Sequence, residues 1–301
     1  MIGLVRGLSP WAAHPPPTDE GATLARRFIA AGLSLVGAFF ATTLTFPAAA
    51  ADWELKVCAD PDNLPFSNQA GEGFDNKIAE ILATDLNARL TYVWLPDLRG
   101  RTRQRLLQGG ECDLVMGVLD GQPGFLSSYA YYRTGYVFVY PKGASFAVAT
   151  LDDPVLRDLR IGLPGGTRMV PPSLALGNRG VVDNQVHFTD RKDVGARYMP
   201  VLEGLRDGKV DLAIAWGPQA GAFAKELGGM TVAPVQPEID APFIPMVASL
   251  TIGVRPGDEG LRDALDLALA RTWEKTRGVL SDAGVPLIDL PPPAVSLQSG
   301  G

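Results

Sequence analysis

GGECDLVMG (109–117) and DGKVDLAIA (207–215) carry one pattern written twice. In each, glycine closes a helix-like stretch, an aspartate follows, and an unbroken apolar run begins. Glycine past the last helical position is a stop signal. A short run that is apolar throughout fits a strand covered on both faces, as in parallel sheets. Each copy therefore completes a helix–turn–strand unit, and two copies predict two similar α/β lobes.

Outward from the first copy, ELKVCA (54–59) predicts a strand, and 73–88 a helix with Ile78, Ile81, Leu82 and Leu86 on one face and Asp75 as its cap. LTYVW (90–94) predicts a second strand, 101–108 a polar basic helix, and 112–118 a third strand. Strands alternating with helices imply right-handed parallel crossovers. Around the second copy, 159–163 and 210–216 predict strands, with a helix over 199–207 and a loop at Pro164-Gly165-Gly166-Thr167. Extended segments at Tyr136–Tyr140 and Ser249–Val254 are expected to cross between the lobes. An amphipathic helix over 258–273 should pack back on the first lobe. The expected organisation is a signal peptide (1–51), lobe I (52–140), lobe II (141–249), a return segment of lobe I (250–290) and a disordered tail (291–301).

The leader reading rests on Arg26-Arg27, an apolar run from Phe28 to Phe46, and Ala48–Ala51 after Pro47, which together have the layout of a cleaved export signal. The chain is thus expected in the periplasm, soluble and monomeric. Of 301 residues, 46% are hydrophobic and 20% charged, enough apolar material for a real core. The net charge of −6 argues against nucleic acid and anionic lipid as partners. The two cysteines, Cys58 and Cys112, are expected to form a disulfide in an oxidising compartment. They lack the spacing of a metal site, and no metal is expected.

Two lobes joined by two crossing strands in an exported chain resemble the periplasmic solute-binding proteins, a bilobal type II α/β fold. Four stretches resemble one branch more narrowly: VCADPDNLPFSN (57–68), GEGFDNKIAEILA (71–83), CDLVMGV (112–118) and YYRTGYVFV (131–139). They are similar to the J-type accessory proteins of methanol oxidation, MxaJ and XoxJ. The resemblance implies an accessory to a periplasmic PQQ-dependent alcohol (methanol) dehydrogenase. The cleft residues add the expectation that it binds the dehydrogenase and aids its maturation or activation, and neither catalysis nor a cofactor of its own is expected. The alternative is the solute-binding component of an ABC importer for a small ligand that is not an amino acid.

Ligands of open α/β sheets bind beyond the carboxyl ends of the strands. That rule selects Asp60, Asn63 and Phe66 after the first strand, Trp94 after the second, and Phe125 after the third. In the second lobe it selects Gly166, Thr167, Arg168 and Trp216, with the Gly-Gly-Thr-Arg turn as an anion site. An α-amino acid needs a guanidinium for its carboxylate and an acid for its ammonium. The stretch 118–124 offers no arginine, and the strand end expected to carry the acid ends in Trp216. The cleft is therefore expected to take an apolar molecule or a segment of the dehydrogenase. Arg99, Arg101 and Arg103 form a basic run that is a candidate docking patch. Asp60 and Asp62 read as turn formers around Pro61. No nucleophile, zinc or phosphate-loop motif occurs, and His187 is the only histidine after the leader.

Overall fold

The computed structural model describes residues 53–96, 101–165, 169–189 and 199–294, all within one compact unit. The leader, Arg99, the Arg101 side chain, Gly166, Thr167 and Arg168 lie outside the described residues. In chain order the first part runs β1 (Trp53–Ala59), β2 (Asp62–Asn63), β3 (Ser67–Asn68), α1 (Phe74–Asp85), β4 (Ala88–Trp94), α2 (Arg101–Gln108), β5 (Leu114–Leu119), β6 (Leu126–Ser127) and β7 (Tyr132–Pro141). Next come β8 (Ile161–Pro164), α3 (Pro171–Asn178), β9 (Gln185–Phe188), α4 (Pro200–Arg206), β10 (Leu212–Trp216), α5 (Gly217–Leu227) and β11 (Met230–Pro234). The chain returns through β12 (Ile239–Asp240), β13 (Ile244–Pro245), β14 (Val247–Val254) and α6 (Glu259–Asp282). None of the described helices is long and apolar enough to cross a membrane.

The strands follow the order β4-β1-β5-β14-β7-β10-β8-β9, with β6 beside β14 and β11 beside β7. Two parallel groups, β4-β1-β5 and β10-β8-β9, flank the antiparallel pair β14 and β7. The crossing strands divide their length between the groups. The first residues of β7 pair with β14, and its later residues pair with β10 and β11. β14 pairs first with β7 and then with β5. This is the bilobal fold of the periplasmic solute-binding proteins.

The repeated aspartate has the same task in each lobe. Asp113 accepts the Lys56 amide at 2.8 Å through Oδ2 and donates its own amide to the Lys56 carbonyl at 2.8 Å. Asp211 does the same with Arg160, at 2.9 Å both ways, and also binds the Arg160 guanidinium. One carboxylate thus pins the start of each closing strand beside its parallel neighbour.

Each lobe has its own apolar core. Leu55, Ile78, Leu82, Leu114, Ile252 and Leu269 build the first around α1 and α6. Phe138, Leu156, Ile161, Leu163, Leu212 and Ile214 build one side of the second. The lobes also touch behind the sheet, where a Cβ on Gly221 of α5 would lie 1.9 Å from the Gly284 carbonyl oxygen. Only glycine permits that approach.

One local expectation changes. α6 extends to Asp282, well past 273, because Thr276 and Leu280 continue its buried face. Pro171-Pro172 opens α3, since a first-turn residue needs no amide hydrogen for the helix ladder. His187 lies in strand β9.

Cys58 and Cys112 are bonded, with Cα atoms 5.6 Å apart. The bridge ties β1 to the turn before β5 and packs with Leu107, Val115 and Val118. Replacing both cysteines by alanine is expected to lower unfolding free energy by about 2–4 kcal/mol. Urea denaturation of the double variant checks this, and an unchanged midpoint would assign the stability of this corner to strand pairing alone.

Candidate functional site

The loop after β1 turns back onto the start of α1. Asp60 accepts the Asp62 amide at 2.9 Å through Oδ1, the turn expected around Pro61. The Phe74 and Asp75 amides donate to the carbonyls of Pro65 and Phe66, both at 2.9 Å. These bonds replace a side-chain cap. The cap residue is Gly73, where a Cβ would lie 2.1 Å from the Phe66 oxygen, and not Asp75 as the sequence pattern indicated. Asp75 falls instead in the first helical turn and points inward.

Its surroundings are unusual for a carboxyl group. Asp75 is buried and accepts the Tyr131 hydroxyl at 2.7 Å through Oδ1. Burial pushes its pKa up to about 7, against the opposing pull of the Tyr131 bond and the Arg103 charge. Burial and the neighbouring Asp75 charge push the Tyr131 hydroxyl well up too, so it is a neutral donor. Gly117 of β5 has φ +67°, and a Cβ there would sit 3.7 Å from Asp75 Oδ2.

Above this pair opens a cavity of about 430 Å³ at the strand ends, a volume suited to a small molecule. Lobe I supplies most of the wall, including Asp60, Asn63, Phe66, Asn76, Arg103 and Tyr132. From the second lobe come Met199, Pro200, Trp216 and Gln219. Trp216 ends β10, caps α5, and meets Tyr136 edge to face at 5.3 Å. Phe66 lies 5.2 Å from Phe74.

Four of the sequence-selected residues, Asp60, Asn63, Phe66 and Trp216, thus line one cavity. Trp94 does not reach it and stacks on Tyr92 at 4.5 Å, packed against the lobe I core. Phe125 packs instead on the disulfide cluster, over Gly253. Arg103, expected on an exposed docking face, is half-buried on the cavity wall, with Nη1 3.4 Å from the Gly117 carbonyl. Tyr131 is core, and Phe243 is 92% exposed. Asp75, Asn76 and Tyr132 escaped sequence reasoning as cavity residues, whereas Gln219 lies in the stretch 216–219 beyond a strand end, where the strand-end rule places a cleft. Asp75 reads as a helix cap, and Asn76 sits on a helix face that reads as solvated.

No family model matches the chain. Protein MoxJ of Paracoccus denitrificans is 28% identical to it over 259 residues, which cover 82% of this chain and 94% of that protein. Among solved structures, the periplasmic binding protein XoxJ from Methylobacterium extorquens AM1 is 33% identical with a TM-score of 0.63, covering 78% of this chain and all of that one. MxaJ from Methlophaga aminisulfidivorans MPT is 28% identical with a TM-score of 0.67, covering 78% and 100%. The chain belongs to the MxaJ/XoxJ family.

Folding raises the Asp75 pKa above its ordinary value, so the native state holds this proton more tightly than the unfolded chain. Its contribution is most favourable below about pH 4 and is lost as pH rises toward 7. Asp266, pushed up to about 6 mainly by burial, acts in the same direction. Asp75→Asn removes only the first contribution. The variant is expected to gain on the parent by up to ~1.4 kcal/mol per pH unit between about pH 4 and 7, with a constant gap above. Denaturation midpoints across that range would measure the gap, and parallel pH profiles would show that Asp75 titrates normally.

Proposed function

We propose that this chain is a periplasmic accessory protein of a PQQ-dependent alcohol (methanol) dehydrogenase, which binds the dehydrogenase and aids its maturation or activation without catalysing a reaction itself. Membership in the MxaJ/XoxJ family carries this reading. The cavity supports it by what its wall lacks. The residues after β5, Val118–Gly124, hold no arginine for an α-carboxylate, and Trp216 occupies the strand end where an acid would meet an ammonium. The disulfide agrees with an oxidising compartment.

A cavity of this volume accepts a small molecule or one or two side chains, not a folded segment. Docking is therefore assigned to the surface, and one feature there has no folding rationale. The β12–β13 hairpin presents Phe243 at its turn with φ +123° and 92% of its surface exposed. Bulky residues avoid that backbone region. The hairpin beneath is braced on both sides. Arg179 grips buried Asp240 through two nitrogens at 2.7 and 2.8 Å, which holds that carboxyl below its usual range. Arg133 pairs with Glu238 at 2.6 Å. A rigid stem carrying an exposed aromatic ring is the form of an anchor for an apolar pocket on a partner.

The importer component is the second reading, favoured by the polar groups inside the cavity. Biolayer interferometry against the dehydrogenase large subunit, with and without its cofactors, separates the two. Preference for the cofactor-free form is expected, and Phe243→Ser is expected to weaken binding at least tenfold without lowering Tm. No binding to either folded form would transfer the chain to the importer reading.

A further inference from the structure

The exposed residues around the β12–β13 hairpin share one character. Between Pro237 and Pro245 they are Pro237, Ile239, Ala241, Pro242, Phe243 and Pro245, all apolar. The two acids of that run are engaged by arginines, Glu238 by Arg133 and buried Asp240 by Arg179. The inward residues Ile244 and Met246 belong to the lobe II core, so the fold already has its apolar anchors without the outward ones. β13 packs beside α3, where Leu174 is exposed as well, and Val182 is exposed just past that helix. Apolar residues gathered in this way mark a contact surface more often than chance exposure does. Three of the six hairpin residues are prolines, whose fixed φ leaves little backbone entropy to lose on binding.

The charge beside this face has one prevailing sign. The Leu151 amide donates to the Gln236 carbonyl at 3.0 Å, which sets Asp152 and Asp153 at the root of the hairpin. Arg179 is shared by two carboxylates, Asp152 at 2.7 Å and Asp240 at 2.7 Å, so this group of three keeps a net negative charge. Asp152 retains 69% of its side-chain exposure while so held. Exposed Asp183 follows Val182. Among the described residues here, Arg133 is matched by Glu238, and Arg157 donates to the Arg179 carbonyl at 2.9 Å. A second copy of the chain would bring the same acids to the same face, which sets like charge against like. A partner with an apolar recess bordered by lysine or arginine meets both features at once.

We infer that the outward face of the β12–β13 hairpin, together with Leu174 of α3, docks on a protein surface that offers an apolar recess with a basic border. This docking role rests on the accessory reading and adds the chemistry of the partner's side. The apolar centre governs how slowly the complex comes apart, and the acidic border how fast it forms.

Biolayer interferometry of the purified protein on the dehydrogenase large subunit, at low and at high NaCl, tests this. The association rate is expected to fall about fivefold or more as salt screens the border. The double variant Asp152→Lys and Asp183→Lys should slow association about fivefold at low salt with little change in dissociation. Asp183→Lys alone, which leaves the Arg179 pairs intact, should shift it in the same direction. Ile239→Ser and Leu174→Ser should each speed dissociation about threefold or more with Tm unchanged, whereas Leu227→Ser, exposed at the end of α5, should bind as the parent does. Binding that ignores salt and all of these substitutions would overturn the inference and leave the accessory reading standing. No binding by the parent to a folded dehydrogenase would remove both. A dimer in sedimentation that Ile239→Ser dissolves would assign the face to a second copy and also overturn it.

Discussion

A carboxylate clasping the backbone of a neighbouring strand, once in each lobe, sets the register on which everything else depends. Asp113 and Asp211 each accept an amide from the chain beside them and return their own amide to the same residue's carbonyl. Charge-assisted bonds of this kind are stronger than neutral ones. In the second lobe the Arg160 guanidinium adds to the clasp and holds the Asp211 carboxyl below its ordinary range. With the register fixed, Val57 and Cys58 lie beside Leu114 and Val115, and Ile161 and Gly162 lie beside Leu212 and Ala213. The carboxyl ends of β1 and β5, and of β10 across from them, then arrive at the cavity. A slip of one residue would turn the side chains of β5 or β10 to the opposite faces.

The crossing pair converts two such lobes into one site. β7 and β14 run antiparallel at the middle of the strand order, and each passes from one parallel group toward the other. Tyr131 enters β7 holding Asp75, while Tyr136 later in the strand meets Trp216. Behind the sheet, Thr134 donates to the Pro286 carbonyl at 2.7 Å, and α5 lies against the turn after α6 at Gly221 and Gly284. The second lobe is therefore joined to the first through strands, a hydroxyl and a glycine contact. Gln219, two residues before Gly221 on α5, reaches the cavity from the helix that makes this rear contact.

What the sequence revealed follows from how local each determinant is. The repeated aspartate, the apolar strands and the i, i+4 rhythm of α1 and α6 are short-range signals, and the lobes were legible from them. α5 was not, because GPQAGAF begins with residues that usually break a helix, although they sit where a helix start tolerates them. Asp75 looked like a cap because its neighbours fit a capping pattern. The deciding contact came from Phe66, whose carbonyl leaves room only for Gly73. Phe125 and Trp94 had the residue type and strand-end position of cleft walls, yet each found a nearer apolar surface. Such choices depend on which surface lies nearest once the chain is folded, which periodicity does not encode.

Departures from local consistency concentrate where a protein binds something. Thr276 shows why one such departure is not enough. Its hydroxyl, like one polar atom each of Asn76, Tyr132 and Gln219, is buried without a partner, but it lies within α6 and is not part of the cavity wall. Asn76, Tyr132 and Gln219 differ because all three residues line one cavity from two lobes, beside Asp75, whose pKa burial pushes up to about 7. Phe243 differs in the opposite sense, since it stands exposed at positive φ on a hairpin whose Asp240 is held by Arg179 and whose approach is held by the Arg133–Glu238 pair. The inner site and the outer hairpin share no residue. Selection on a small ligand and selection on a protein partner can therefore act on this chain separately, and a fold built to close on solutes can acquire a docking role without surrendering its cavity.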